Sequence, residues 1–227
     1  MHLALNYKRR PYIGIVLIPE KDELWISYEE KIWCENRDGN IRKQNMSETN
    51  ILEKMTIVTS KNHRNQKLKD LIEKIHFKKT IVMGSIGCKV ASIIRGESDI
   101  YISLSLPGKT APKDWDFAAP EAILKAAGGS ITNIDNEELV YGSTDLKHSG
   151  IIIASNNKKN HKRICSEVNT NSQHGGPHKG PAVSSEWSPH LQFPLPLPLS
   201  LPFPLPLSLS LQLSLPLLLP LPLPLPF

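Results

Sequence analysis

Residues 1–165 predict an α/β fold of layered sheet and helices, on three observations. Short β-branched and aromatic runs alternate with segments of helical period, the pattern of packed sheet and helix layers. Two turn signals near the start imply that the chain opens as antiparallel sheet. Composition then breaks sharply: 14 of the 19 prolines lie between Pro177 and Pro226, whereas 26 of the 27 Lys and Arg and 20 of the 22 Asp and Glu precede Ser166. The first part therefore carries +6 and the remainder −1. We expect a folded domain over 1–165, long enough to bury an ordinary core, and a disordered Pro/Leu/Ser-rich tail over 166–227.

The elements follow in order. Residues 2–5 (HLAL) alternate like a strand, a start that leaves the first strand in need of a neighbour. Residues 12–19 (YIGIVLIP) and 23–28 (ELWISY) flank the polar Glu20, Lys21 and Asp22 and read as a hairpin. Residues 31–34 and 41–43 flank Arg37, Asp38, Gly39 and Asn40, an Asp-Gly turn. Strands are predicted at 55–59, 80–83, 99–104, 130–134 and 150–154. Helices are predicted at 62–75 (apolar at Leu68, Leu71, Ile72 and Ile75), 85–95, 116–127 before Gly128 and Gly129, and 158–165. No internal repeat is evident.

Several classes are disfavoured by these numbers. Cys34, Cys88 and Cys165 are odd in number and in no metal-ligand spacing, so neither a disulfide framework nor a zinc site is indicated, and a reducing, cytoplasmic location is expected. Residues 1–10 contain no apolar run of signal-peptide length. The positive balance is interleaved with acids, the mark of a solvated surface rather than a nucleic-acid face. Residues 193–227 contain only Phe, Leu, Pro, Ser and Gln212, and the dense proline forbids a membrane-spanning helix. Such a segment could be a polyproline-II ligand, although flanking basic residues are missing. Its four main residue types are those that all-pyrimidine codons encode, which favours a translated pyrimidine-rich repeat.

Three stretches could carry chemistry, each where a strand hands over to a helix. Thr59, Ser60, Lys61, Asn62, His63 and Arg64 bring hydroxyl, amide, imidazole and guanidinium groups to a helix N-terminus, a favourable place for an anion. The plainer reading is that Ser60 or Asn62 caps the helix. Gly84, Ser85, Ile86, Gly87, Cys88 and Lys89 combine small residues that admit a ligand with a lysine able to meet a phosphate. Glycines packing a helix on a sheet would explain the same pattern, and the P-loop spacing is absent. Asp116, in a run from Lys113 to Glu121, could be a hard-cation ligand or simply an N-cap, the latter placing Pro120 in the first helical turn.

The run Trp115, Asp116, Phe117, Ala118, Ala119, Pro120, Glu121, Ala122, Ile123, Leu124, followed by Gly128 and Gly129, resembles the second signature of the inositol monophosphatase-like superfamily of Mg²⁺-dependent phosphatases. Its Ala-Pro-Glu ending is similar to the 3′(2′),5′-bisphosphate nucleotidase branch, as are the Ser60/His63 loop and the loop from Gly84 to Lys89, in the same order. The resemblance covers 1–165. It implies a phosphomonoesterase acting on adenosine 3′,5′-bisphosphate, with Mg²⁺ as cofactor, Asp116 as a metal ligand, and Ser60, His63, Ser85 and Lys89 as substrate-binding residues. The family's first signature, Asp-Pro-x-Asp-Gly-Thr, and its upstream metal-binding glutamate have no counterpart, so an N-terminally truncated and inactive fragment is expected. The alternatives are an inositol or sugar phosphatase and a non-catalytic nucleotide-binding or proline-rich interaction protein.

Overall fold

A computed structural model describes residues 1–61, 65–106 and 111–173. His63 and the tail from residue 174 onward lie outside the described residues. Two five-stranded sheets enclose a helical layer, and a second helical layer covers the far side of the second sheet.

Sheet 1 is an antiparallel meander of β1 (His2–Tyr7), β2 (Arg10–Ile18), β3 (Glu23–Tyr28), β4 (Lys31–Glu35) and β5 (Ile41–Arg42), in that order. The neighbour that the opening strand needs is β2, paired His2 with Val16 through Tyr7 with Arg10. The hairpin joining them was not expected, because its turn is Lys8 and Arg9, both at positive φ (47° and 62°), where Asn-Gly is the usual signal. The Asp-Gly hairpin forms as expected: Gly39 has φ 78°, and the Asn36 side-chain oxygen accepts from the backbone of Asp38 and Asn40. In β3 the period of two turns Glu23, Trp25 and Ser27 inward. Glu23 is buried and pays no orphan cost, since Trp25 Nε1 donates to it at 3.0 Å and Arg42 and Arg95 pair with it at 3.1 and 2.7 Å.

Sheet 2 comprises β6 (Thr56–Ser60), β7 (Lys79–Met83), β8 (Ile100–Ser105), β9 (Ser130–Asn133) and β10 (Gly150–Ser155), in the order β7-β6-β8-β10-β9. β6 is parallel to both β7 and β8, whereas β10 runs antiparallel to β8 and β9. Both faces are covered, so alternate residues feed two cores: Val58, Tyr101, Ile152 and Ala154 one, Ile57, Ile100, Ile102 and Ile153 the other.

α1 (Gln66–Ile75) and α4 (Lys158–Gln173) lie on the outer core through Leu68, Leu71, Ile75, Ile164 and Val168. α1 begins later than expected, because Asn65 and neither Ser60 nor Asn62 is the cap: its Oδ1 accepts from Leu68 N at 2.9 Å. α4 continues past the expected end at Cys165, since Val168 extends the apolar stripe by one turn.

α2 (Ile86–Ile94) and α3 (Asp114–Ala126) form the layer between the sheets. Sheet 1 can settle on α3 because Gly14 faces alanines: a Cβ on Gly14 would stand 2.5 Å from Ala122 Cβ and 2.7 Å from Ala119 O. α3 starts at Asp114, so Asp116 is not the N-cap and Pro120 falls in the helix interior. Having no N–H, Pro120 offers nothing to the Asp116 carbonyl. Among the described residues no helix is long and apolar enough to cross a membrane.

Among the described residues His161 is a buried imidazole sensitive to acid, held by Thr132 Oγ1 at 2.8 Å and Ser155 Oγ at 2.6 Å. Burial pushes its pKa down to about 4. The unfolded ring, near 6.5, binds a proton that the folded ring refuses, so its contribution to stability is full above pH 6.5 and is lost as pH falls through 4. We expect acidification across that window to cost on the order of 3 kcal/mol from this group. Urea unfolding of His161→Gln should show a less stable protein at pH 7 with a visibly flatter pH dependence; an unchanged slope would refute the assignment.

Candidate functional site

In sheet 2 the connection after β6 runs through α1 on the outer face, and the connection after β7 runs through α2 on the inner face. Strand order therefore reverses at β6, and its carboxyl end, Ser60, opens a crevice of the kind in which open α/β sheets bind ligands. A cleft of about 400 Å³ occupies this place. It gathers Ser60 from β6, Ser85 before α2, Lys89 on α2 and Asp116 on α3, four of the five residues singled out in the sequence.

Lys89 is fully buried along its stem and donates from Nζ to the Gly84 carbonyl at 2.8 Å, with the ammonium 5.1 Å from the centre of the Tyr101 ring. Burial pushes its pKa down to about 8, against the opposing pull of Cys88 and Asp116. Ser85 is the N-cap of α2, yet its side chain makes no capping bond, so the hydroxyl is left to other partners. Tyr101, whose pKa burial raises, has Ser60 and Ser103 as hydroxyl partners. Asp116 Oδ2 accepts from Lys113 N at 2.9 Å, fastening the first turn of α3.

Sequence reading missed His2, which also lines the cleft. Its Nδ1 faces the Trp115 carbonyl and its Nε2 faces Ser85 Oγ, each at 3.4 Å. The carbonyl only accepts, so Nδ1 carries the proton and Nε2 accepts from the serine. Burial lowers the ring's pKa. Gly87 makes room for it: a Cβ there would lie 2.2 Å from His2 Nε2 and 2.9 Å from Val16 Cγ1. The second glycine of the loop thus packs helix on sheet and does not meet a ligand. Ser103 and Ser105 were missed as well, though their alternation at the end of β8 is a period-two signal.

Glu121, the distinctive residue of the Ala-Pro-Glu run, is buried away from the cleft, paired with Arg10 and accepting from Tyr141 OH at 2.5 Å. Burial pushes its carboxyl up to about 7 against the pull of Arg10. Asp114 accepts from Gly142 N at 2.6 Å and meets His148 Nε2 at 2.9 Å. These contacts tie α3 to β2 and to residues 139–148; they are structural.

The donor set does not fit a resident pair of Mg²⁺ ions. Mg²⁺ needs oxygen ligands in octahedral array, and Asp116 is the one carboxylate lining the cleft, with one oxygen already bonded to Lys113. Among the described residues no group of three or more His, Cys, Asp or Glu could hold a metal ion.

The Inositol monophosphatase family matches residues 1–173, and the chain belongs to that family. Among curated relatives, the 3′(2′),5′-bisphosphate nucleotidase 1 of Mus musculus is 35% identical over 107 residues, 46% of this chain and 33% of the relative. The 3′(2′),5′-bisphosphate nucleotidase CysQ of Buchnera aphidicola is 32% identical over 131 residues, 58% of this chain and 46% of the relative. The chain thus spans between a third and a half of these proteins. The fold is shared with CysQ from Bacteroides thetaiotaomicron (TM-score 0.56, 20% identity, 69% of this chain and 62% of that one) and with an inositol monophosphatase from Anabaena (0.56, 21%, 74% and 63%).

Asp116→Ala should remove the acceptor for Lys113 N and cost about 1 kcal/mol of stability, whereas Asp116→Asn keeps an oxygen there and loses less. Chemical denaturation of both variants checks this; equal stability of Asp116→Ala and the parent would mean the carboxylate does not serve the helix.

Proposed function

We propose that this chain is the substrate-holding part of a phosphomonoesterase of the bisphosphate nucleotidase type, and that the cleft binds adenosine 3′,5′-bisphosphate. The observation that supports this most is the convergence of Ser60, Ser85, Lys89 and Asp116 at the carboxyl ends of β6 and β7 and the first turn of α3. Lys89 would meet, as a point charge, an oxygen of the nucleotide's second phosphate, which inositol 1-phosphate lacks, and the N–H groups at the start of α2 favour the same anion. The hydroxyls of Ser60, Ser85 and Ser103 can serve sugar or phosphate oxygens. His63 belongs to the same reading as a contact to the nucleotide. Mg²⁺ would supply charge at the attacking and leaving oxygens in a complete enzyme. On this reading the residues named above would serve binding, and the one carboxylate among them would not by itself hold the metal.

Isothermal titration of the full chain with adenosine 3′,5′-bisphosphate and with inositol 1-phosphate tests the reading. The nucleotide should bind more tightly, and Lys89→Ala should weaken it about 10-fold or more while changing inositol phosphate binding less, because a lost charge-assisted bond costs about 1.5–3 kcal/mol only where the ligand offers the partner. Equal losses on both ligands would reduce the assignment to a phosphatase of unspecified substrate, and no binding at all would overturn it. Phosphate release with Mg²⁺ should stay below ~1 s⁻¹. Faster turnover that disappears in Asp116→Asn would show the catalytic centre to be complete.

A further inference from the structure

The hydroxyl of Ser85 has a single proton, and the fold commits it. His2 is seated over Gly87 beside α2, with Nδ1 toward the Trp115 carbonyl and Nε2 toward Ser85 Oγ, each at 3.4 Å. A carbonyl has no proton to give, so Nδ1 holds the ring's proton and Nε2 is the lone pair that draws the serine's. Ser85 caps the start of α2 with its backbone alone: its side chain makes no capping bond, so no N–H of the helix occupies the oxygen. The residue is exposed and lines the cleft. Toward a ligand, Ser85 Oγ therefore offers lone pairs and no proton. Its surroundings are the reverse. Lys89 Nζ has three protons and uses one on the Gly84 carbonyl at 2.8 Å, and the first N–H groups of α2 are donors.

We propose that Ser85 accepts a hydrogen bond from the ribose 2′-hydroxyl of a bound nucleotide, and that His2 is the positioning residue that keeps the serine an acceptor, so that the cleft selects ribonucleotides over 2′-deoxyribonucleotides. The inference rests on the reading of the cleft as a site for adenosine 3′,5′-bisphosphate and extends it to one hydroxyl of the sugar.

The chemistry of the ligand selects that hydroxyl. An ionised phosphate oxygen only accepts, and against Ser85 Oγ it would stand lone pair to lone pair. Phosphate therefore belongs with Lys89 and the start of α2, and the serine needs a donor. In adenosine 3′,5′-bisphosphate the 3′ and 5′ oxygens both carry phosphate, which leaves the 2′-hydroxyl as the sugar's one donor. It is vicinal to the 3′-phosphate, whereas the adenine amino group lies at the far end of the ligand. A lone pair held beside an anion-binding helix start thus meets the 2′-hydroxyl. His2 and Ser85 come from different layers, β1 and the turn before α2, so the pair exists only in the folded chain.

Isothermal titration of the full chain with adenosine 3′,5′-bisphosphate and with its 2′-deoxy analogue reads this preference directly. The parent should bind the ribonucleotide about 5-fold more tightly, the scale of one neutral hydrogen bond open to water. Ser85→Ala should bring the ratio of the two dissociation constants to about 1. His2→Phe keeps a ring above Gly87 but has no acceptor, which frees the serine to donate to a phosphate oxygen; the deoxy analogue should gain affinity and the ratio should fall to about 2 or less. His2→Gln returns an acceptor oxygen and should restore the parent's ratio, which a merely space-filling role for the imidazole would not require. Far-ultraviolet circular dichroism of each variant should match the parent, and Ser85→Ala, at an exposed position without a capping bond, carries the test if His2→Phe does not fold. A parent that binds both nucleotides equally would overturn the proposal and leave the nucleotide reading standing, whereas a parent that binds neither would overturn both. A preference that survives in Ser85→Ala, or one unchanged in folded His2→Phe, would place the ribose contact on other residues and overturn the assignment.

Discussion

The close seat of sheet 1 on α3 is the contact on which the site depends. Gly14 has no side chain, and α3 turns Ala119 and Ala122 toward it, so β2 lies almost against the helix backbone. Any larger residue at these positions would lift the sheet. Because β1 travels with β2, the same contact carries His2 to the start of α2, and because α3 is held between the sheets it delivers Asp116 to the carboxyl ends of β6 and β8. The small residues of the Asp-Phe-Ala-Ala-Pro run are thus packing requirements, and the one group in it that faces the cleft is Asp116.

Much of this architecture was legible in the primary structure, and for identifiable reasons. An apolar and aromatic run beside a polar turn located β3 to the residue, and the reading of helices placed the end of α1 at Ile75 and the start of α3 within two residues. What failed failed at the ends, where one side chain outweighs periodicity: Asn65 takes the cap of α1, and Lys113 with Asp116 moves the start of α3 upstream, leaving Pro120 inside the helix. The turn at Lys8 and Arg9 was invisible because nothing in those side chains favours positive φ; strand pairing imposes it.

The cleft shows the same division. Ser60, Ser85 and Lys89 were legible because each sits beside a strand-to-helix junction, where topology places ligands. His2 was not, since it is 83 residues from Ser85 and reaches it only through the packing of two sheets around one helical layer. Glu121 illustrates the reverse. Its position in a signature suggests chemistry, but Arg10 and Tyr141 occupy both its oxygens, and it fastens the helix that carries Asp116.

The vacancy above Gly87 ties two distant positions into a single unit of inheritance. With His2 where it stands, a methyl group at position 87 would overlap the imidazole, so a larger residue there requires the ring to move. A lineage that replaced the histidine by a small residue would relieve the tighter of the two contacts at position 87 and leave Val16 Cγ1, at 2.9 Å, as the remaining limit, and one that enlarged position 87 first would displace the ring from its place beside α2. Changes at the two sites should therefore be found together across descendants of this sequence, histidine with glycine or small with larger, and the mixed combination should be rare.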